Sequence, residues 1–438
     1  MASKFNSRTA IAVVVANMIG TGVFTSLGFQ LVDIQSVFVL LMLWVVGGIT
    51  ALCGALTYAE LGSALPRSGG EYNFLTQLIH PGAGFISGWI SATIGFAAPT
   101  ALAAITFGKY LQAVVPEVPT KLSASVLVIA LTLAHVWSRS ASGGTQRIFT
   151  LVKVVLILFF CVACWFWVAE PQPISVLPQA GDGALFTSSA FAVSLIYVSY
   201  AYTGWNAATY LTSELENPIK TLPKVLALGT FVVMLMYLLL NFTFLYVAPM
   251  ANMVNRVEIG YVASEAVFGP VGGAAMGLML AVLLISTASA MILAGPRVLQ
   301  VIGEDFRVFR ALAKTNDDVY PVAAIVFLSV ITLTFIATSS FDYILKFAGF
   351  TLGLNTFFTV AGVFVLRRRQ PSSELPFRMP LFPIPPLVYL ALTGWTLVHL
   401  LGQPVEPGKI GEGWMGLILV AIGGVVYLLS KALSDKIK

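Results

Sequence analysis

Charged side chains are scarce in this sequence, and their scarcity excludes an ordinary soluble protein. Only 10% of the 438 residues are charged, whereas a soluble domain carries about 25%. Hydrophobic residues make up 58% of the chain, and the mean hydropathy is +0.90. One soluble core of this length cannot bury so much apolar surface, so lipid is the expected solvent for most of it.

Cysteine and histidine are also rare, which leaves little material for disulfides or metal sites. All three cysteines lie inside apolar runs, where a thiol is a small packing group. The three histidines are scattered and lack the spacing of metal ligands. The sequence therefore predicts no metal site and no cofactor. The residues concerned are Cys53, Cys161, Cys164, His80, His135 and His399.

Apolar runs fill most of the chain, and each is near the length needed to cross a bilayer, upright or tilted. The loops between them are short, so residues 1–438 are expected to form a single transmembrane domain. The sequence predicts an all-α membrane protein with about twelve transmembrane helices. The runs cover residues 10–30, 37–61, 84–114, 124–137, 148–168, 185–212, 225–247, 271–302, 322–337, 343–366, 387–401 and 414–429.

Lysine and arginine are distributed unevenly between the two sides of this arrangement. If both termini are cytoplasmic, most of the 24 basic residues fall in inner loops, and five fall outside. This is the positive-inside pattern, and it predicts a multi-pass protein of the cell (inner) membrane. Because the basic residues lie in short loops between apolar runs, nucleic-acid binding is not expected. The run Arg367–Arg369 is interpreted as a stop signal and an anchor for lipid headgroups.

Two spans are interrupted near the middle of the membrane. Residues 18–24 of the first place two glycines around Thr21, and residues 200–206 of the sixth contain Gly204. Glycine weakens a helix, and an unwound backbone inside a bilayer is tolerated only where it is buried in protein or lines a cavity. Half-helix N-termini suit a carboxylate, and free carbonyls suit an ammonium group. An amino acid zwitterion presents both. The alternative is close helix packing through small residues.

Ionisable residues inside the spans are few. Lys153 lies in the fifth span, where it is either functional or a lysine that reaches back to the inner interface. Glu60 and Glu214 end the second and sixth spans and are interpreted as partners for loop cations. No acidic residue occupies the middle of a span that could form the site, so a cationic substrate would keep an unpaired charge. Neutral substrates are therefore favoured.

Several motifs together resemble the amino acid–polyamine–organocation superfamily. The resemblance covers nearly the whole chain in order and spacing, and it is closest to bacterial relatives of the L-type amino acid transporters. The segment that includes Gly69, Gly70 and Glu71 is the most specific of these motifs. The matching segments are residues 18–24, 58–62, 66–72, 201–206, 214–218 and 222–223.

The resemblance implies a LeuT-type fold that works by alternating access. Residues 9–168 and 184–368 would form two five-span repeats of inverted topology, and residues 385–433 would add two C-terminal helices. Spans one and six would then be corresponding members of the two repeats. Matched interruptions of this kind point to a transporter site.

The resemblance also implies which residues meet the substrate. The carboxylate would bind the amides of Thr21 and Gly22, with the Thr21 hydroxyl nearby. Tyr200 would be the aromatic gate over the site. Thr203 departs from the glycine common in the mammalian branch, and its larger side chain is expected to narrow the pocket. The α-amino group would bind the carbonyls of Met18, Tyr200, Ala201 and Thr203, with Gly204 completing the set of substrate-binding residues.

Lys153 matches a lysine of the family that lies where sodium-coupled members of the fold hold sodium. Ser286 and Ser289 of the eighth span, with Thr287, would face the same region, so sodium independence is expected. In relatives with a heavy-chain partner, a cysteine after the third span forms the disulfide. Residues 116–121 contain no cysteine, so such a partner is not expected.

The leading hypothesis is a secondary transporter, either an exchanger or a proton-linked permease, for small to medium neutral L-amino acids. A polyamine or basic amino acid exchanger is an alternative. A membrane-embedded enzyme or a channel is a further one. Ser286 and Ser289 have no histidine or acid beside them in the sequence, as an intramembrane hydrolase would need, and no charged ring indicates a pore.

Overall fold

The computed structural model describes residues 7–67, 69–137, 143–306, 309–314, 321–371, 374–405 and 407–435. Within these ranges every regular element is a helix. The α-helices are α1 (Ser7–Met18), α2 (Gly22–Gln30), α3 (Val37–Ala64), α4 (Glu71–Leu78), α5 (Pro81–Ile90), α6 (Ala97–Val114), α7 (Thr120–Trp137), α8 (Gly143–Trp167), α9 (Asp182–Leu185), α10 (Ser189–Ala201), α11 (Pro218–Val247), α12 (Met250–Met253), α13 (Ile259–Asp305), α14 (Arg310–Ala313), α15 (Val322–Thr338), α16 (Phe341–Arg369), α17 (Ile384–Leu401) and α18 (Glu412–Asp435).

Apolar helices of membrane-crossing length confirm the predicted class of protein. In the described ranges, nine helical stretches are long and apolar enough to span a bilayer. Three shorter apolar helices, Leu151–Trp167, Ser189–Ala201 and Val322–Thr338, lie where the sequence predicts spans five, six and nine. The count of twelve therefore stays a prediction.

Three of the predicted spans are built from more than one helical piece. Span one consists of α1 and α2, which are separated by residues 19–21. Span three changes from α5 to α6 through the π-helical turn Ser91–Gly95. Span six consists of α10 and the 3₁₀ segment Ala207–Glu214. Such departures from regular α-helix leave backbone groups free for other contacts.

The helices pack around the two broken spans. α1 lies against α11, and α2 lies against α10 and α13. Large apolar side chains of α7, α8 and α18, such as Val126, Phe159 and Leu428, face outward. A bilayer is the environment in which such surfaces are stable.

A buried ion pair fixes α3 to α16 near the inner side, the side on which α1 begins. Glu60 is fully buried and accepts two hydrogen bonds from Arg367, both of 2.7 Å. The backbone N–H of Met379 donates a third, also of 2.7 Å. The interpretation of Glu60 as a partner for a cation is thus confirmed. The interpretation of Arg367 as a headgroup anchor is wrong, because its guanidinium binds Glu60. The side chain of Glu214 lies outside the described part of the structure.

Glu60→Ala should lower the free energy of unfolding by about 3–5 kcal/mol, because it leaves the Arg367 cation buried without its carboxylate. Thermal unfolding in detergent measures this loss. The double variant Glu60→Gln/Arg367→Met should be less destabilised than Glu60→Ala. Arg67→Ala is the control, because Arg67 is 60% exposed in its pair with Asp305 and should cost under about 1 kcal/mol. Equal losses for Glu60→Ala and Arg67→Ala would contradict this account.

Candidate functional site

A central cavity of about 990 Å³ lies where the two broken spans meet. Every residue predicted from the sequence to belong to the site lines this cavity, so the structure brings the whole predicted set together. Proximity leaves the role of each residue a prediction. The set is Met18, Thr21, Gly22, Lys153, Tyr200, Ala201, Thr203, Gly204, Ser286 and Ser289.

Glycine allows the two breaks to touch through their backbones. A Cβ atom added at Gly22 would lie 2.5 Å from Cα of Ala201, which is closer than real atoms approach. Gly204 has a φ of +99°, a left-handed conformation that favours glycine. A Cβ atom there would lie 2.8 Å from the carbonyl carbon of Asn17. The two glycines are therefore needed for the contact between spans one and six.

The carbonyl groups of the breaks already have donors from the protein. The Tyr237 hydroxyl lies within hydrogen-bonding distance of the Met18 carbonyl and 3.0 Å from that of Ala201. The Thr203 hydroxyl donates to the Tyr200 carbonyl at 2.6 Å. The Met18 and Tyr200 carbonyls also accept backbone N–H bonds, from Gly20 at 2.8 Å and from Thr203 at 2.9 Å. A carbonyl has two lone pairs, so of these three oxygens the one of Ala201 can still accept from an ammonium group. Tyr237 thus ties the two breaks together.

Tyr237 was missed by the sequence reasoning. It lies in α11 and is fully buried, and its ring packs against Trp44 and Tyr202. A hydroxyl in the middle of an apolar span is a usable signal, because buried tyrosines need a hydrogen-bond partner. The sequence alone does not show which partner α11 reaches.

The first turn of α2 supplies unpaired amides next to the cavity. α2 begins at Gly22, and the first N–H groups of a helix have no acceptor within it. Thr21 and Gly22 both line the cavity, and Thr21 is 4% exposed. An anionic group placed here would meet N–H donors and the positive end of the helix dipole.

Lys153 connects span one to α13. Its Nζ donates to Oγ1 of Thr287 at 2.7 Å and lies 3.4 Å from the carbonyl oxygen of Ile19. The two serines predicted near it have other positions: Ser289 Oγ pairs with His135 Nε2 at 2.9 Å, and Ser286 lines the cavity. The hydroxyl that binds Lys153 is therefore that of Thr287.

Glu71, at the start of α4, is a second charged residue in the described lining and was not predicted as part of the site. Its carboxylate accepts hydrogen bonds from Tyr58, at 3.1 Å, and from Asn206 and Tyr210. The sequence placed Glu71 within a family motif but gave no sign that this motif reaches the cavity.

The cavity is closed on the outer side. Phe29 of α2 packs against Tyr197 and Phe341, each with ring centroids 5.7 Å apart. Asp342 accepts a hydrogen bond from Tyr197 at 2.5 Å and pairs with Lys346 at 2.7 Å. None of these residues lines the cavity, whereas residues of the inner halves of spans one and six do. The cavity therefore lies toward the side on which α1 begins, and it is closed toward the opposite side.

Comparison with known proteins agrees with this geometry. A family model described as amino acid permease matches residues 5–426. The chain belongs to the amino acid permease family. This family is part of the amino acid–polyamine–organocation superfamily, as the motifs indicated, and its members have the LeuT fold. The chain is accordingly a multi-pass membrane transporter of amino acids and not an enzyme.

Curated relatives of this amino acid permease match over most of their length. It is 30% identical to the human Large neutral amino acids transporter small subunit 2 over an alignment of 444 positions, which covers 96% of this chain and 79% of the relative. It is 26% identical to the human Cystine/glutamate transporter over 426 residues, 96% and 83% of the two chains. It is 25% identical to the b(0,+)-type amino acid transporter 1 of Mus musculus over 426 residues, 96% and 86%.

Gly22→Ala should abolish or strongly reduce amino acid transport by the permease, because one methyl group forces span one away from Ala201. Counterflow of labelled amino acids into proteoliposomes measures the effect. Gly20→Ala is a matched control two residues away, since its Cβ atom would meet only the Met18 carbonyl oxygen, at 3.9 Å. Gly20→Ala should transport normally. Normal transport by Gly22→Ala would show that the contact is dispensable.

Proposed function

We propose that this permease is a secondary transporter of small to medium neutral L-amino acids, which works by alternating access without sodium. It acts as an exchanger or a proton-linked permease. One observation carries the proposal: the broken backbones of spans one and six meet at Gly22 and Ala201 and line a cavity. Backbone amides and carbonyls exposed there match the carboxylate and ammonium groups that all amino acids share.

In this proposal the substrate carboxylate binds the amides of Thr21 and Gly22. The ammonium group binds carbonyl oxygens of Met18, Tyr200, Ala201 and Thr203. Gly204 allows the backbone to turn directly after these residues. Tyr200 is the gate, because it lies at the end of α10 beside the unwound segment and beside Gly349 of α16. The closed outer side and the inner cavity correspond to one of the two states of alternating access.

The charged groups of the described cavity lining support a neutral substrate. Lys153 is bound by Thr287, and Glu71 is bound by Tyr58, Asn206 and Tyr210. A charged substrate side chain would compete with these bonds for the same groups or remain unpaired in a medium of low dielectric. Thr203 adds bulk at the break of span six and favours small to medium side chains.

Relatives differ in the substrates that their names state, which include large neutral amino acids, cystine and glutamate. The substrate is therefore assigned from the residues of this chain. Glu71 favours one alternative, a basic amino acid or polyamine, since it places a carboxylate in the cavity lining.

A counterflow screen in proteoliposomes separates these substrate classes. Proteoliposomes that contain the purified protein are loaded with one unlabelled compound at a time: a standard amino acid, agmatine or putrescine. Uptake of a labelled amino acid from outside then shows whether the loaded compound is exchanged. Small and medium neutral L-amino acids should drive counterflow, because they add no charge to the cavity. Preferential counterflow with arginine, agmatine or putrescine would overturn the proposal in favour of the cationic alternative.

Lys153 takes the place of a coupling sodium ion in this proposal. An ammonium group supplies a positive charge and three donors, so it can link the Ile19 carbonyl to the Thr287 hydroxyl as a metal ion would. Ser286 and Ser289 belong to the same region of α13, and the described hydrogen bonds of Lys153 go to Thr287 and Ile19 instead. The lysine is 6% exposed, so its charge is held within the protein.

Replacing sodium by choline or potassium should leave transport unchanged. Lys153→Ala should reduce it about tenfold or more, since a charged hydrogen bond between span one and α13 is lost. Lys121→Ala is the control: Lys121 also donates to a backbone carbonyl, that of Ala337 at 2.9 Å, but is exposed. Sodium-dependent uptake, or full activity of Lys153→Ala, would contradict the assignment.

Residues 9–168 and 184–368 are proposed to be the inverted repeats, with residues 385–433 appended. Both termini are proposed to be cytoplasmic in the cell membrane. A relative is named a small subunit, but residues 116–121 of this chain contain no cysteine. The three cysteines lie in α3 and α8 and are free. A disulfide-linked partner is therefore not part of the proposal.

A further inference from the structure

Glu71 is a buried carboxylate that the transport cycle proposed above does not use. It begins α4, is 2% exposed, and lines the inner part of the cavity. Among the described ion pairs of the chain, none includes Glu71. A buried carboxylate without a cation must be satisfied by hydrogen bonds, and its bonds are stronger than those of a neutral acceptor.

The donors to Glu71 come from two different helical elements. Tyr58 belongs to α3 and donates at 3.1 Å. Asn206 and Tyr210 belong to the inner half of span six, residues 206–214, and both donate to the same carboxylate. Glu71 therefore joins α3 and α4 to the segment that follows the break at Gly204.

The inner half of span six has a backbone that needs external support. Ala207–Glu214 is a 3₁₀ helix of 8 residues, whereas such runs rarely exceed about four residues because their hydrogen bonds are poorly aligned. It follows Gly204, whose positive φ turns the chain. Asn206 begins this segment and Tyr210 lies at its middle, so the bonds to Glu71 fix the half nearest the substrate site.

We propose that Glu71 is a positioning residue that holds the inner half of span six in the inward-facing arrangement. Closure of the inner side then requires Asn206 and Tyr210 to leave the carboxylate. Loss of the Glu71 bonds shifts the protein toward the outward-facing state. This inference rests on the proposed alternating access and is independent of which amino acid is carried.

Accessibility of the outer side tests the inference without any substrate. Ser26 of α2 is fully buried and donates to the Tyr197 carbonyl at 3.4 Å, so it becomes accessible only when α2 and α10 separate. Ser26→Cys is introduced into a chain whose three native cysteines are replaced by alanine. The rate of labelling by a bulky maleimide in detergent then reports opening of the outer side.

Glu71→Gln should raise the labelling rate about tenfold, because two charged hydrogen bonds to span six become weaker neutral contacts. Tyr210→Phe should raise it in the same direction. Tyr58→Phe is the matched control, since it removes the same phenol hydroxyl from the same carboxylate on the side of α3. It should leave the rate within about twofold.

A swapped pair adds a readout that a purely structural role would not give. Glu71→Gln/Asn206→Asp exchanges the carboxylate and the amide across one contact, and it should return the labelling rate toward that of the parent. Equal increases for Tyr58→Phe and Tyr210→Phe would overturn the inference, because Glu71 would then be a general packing group. An unchanged rate in Tyr210→Phe would also overturn it, even if Glu71→Gln did not fold.

If Glu71→Gln raises labelling while the counterflow screen shows no amino acid transport, the inference stands and the proposed substrate class fails. If transport occurs as proposed but labelling of Tyr210→Phe matches that of the parent, the proposed function stands and the inference fails. The two results are therefore separable.

Discussion

Backbone polar groups of the two broken spans must find partners inside a bilayer, and the centre of this permease is organised by that requirement. An unpaired N–H or carbonyl group in hydrocarbon costs several kcal/mol. Side chains of other helices meet part of the need: Tyr237 reaches carbonyls of both breaks, and Lys153 reaches that of Ile19. The backbone groups that remain line the cavity, where an amino acid zwitterion can satisfy them. In the proposed function, the substrate completes the hydrogen bonding of these backbone groups.

The two sides of the molecule hold the broken spans by different means. On the outer side, rings of Phe29, Tyr197 and Phe341 pack together, and Asp342 joins Tyr197 to Lys346. On the inner side, span six is held by a buried carboxylate, that of Glu71. Packed rings exclude water from the outer path, whereas hydrogen bonds at the inner side leave the cavity open. In the proposed alternating access, these two kinds of contact separate in turn.

Local chemistry made the breaks predictable from sequence, and long-range packing made their partners unpredictable. Glycine weakens a helix, so the glycines of residues 18–24 and 200–206 mark the breaks in the sequence. The left-handed backbone of Gly204 is a local reason for glycine, whereas the packing of Gly22 against Ala201 is a long-range contact that only the structure shows. Lys153 was found because a lysine inside an apolar run is rare. Tyr237 and Glu71 were missed, since their partners lie 219 and 135 residues away. Thr287 was not distinguished from neighbouring serines for a related reason: helix rotation decides which hydroxyl faces Lys153.

The proposed preference for neutral substrates has a different physical basis in the structure than in the sequence. The sequence argument used the absence of acidic residues from the middle of the relevant spans. The structure places an acid, Glu71, in the cavity lining from a short helix outside those spans. Its two oxygens accept from three donors, so a cationic side chain would compete for the carboxylate with hydrogen bonds that hold span six. The proposed preference for neutral substrates therefore rests on how the cavity charges are engaged. Glu71 and Lys153 have opposite signs and each has its own partners, and a zwitterion adds no net charge to the cavity.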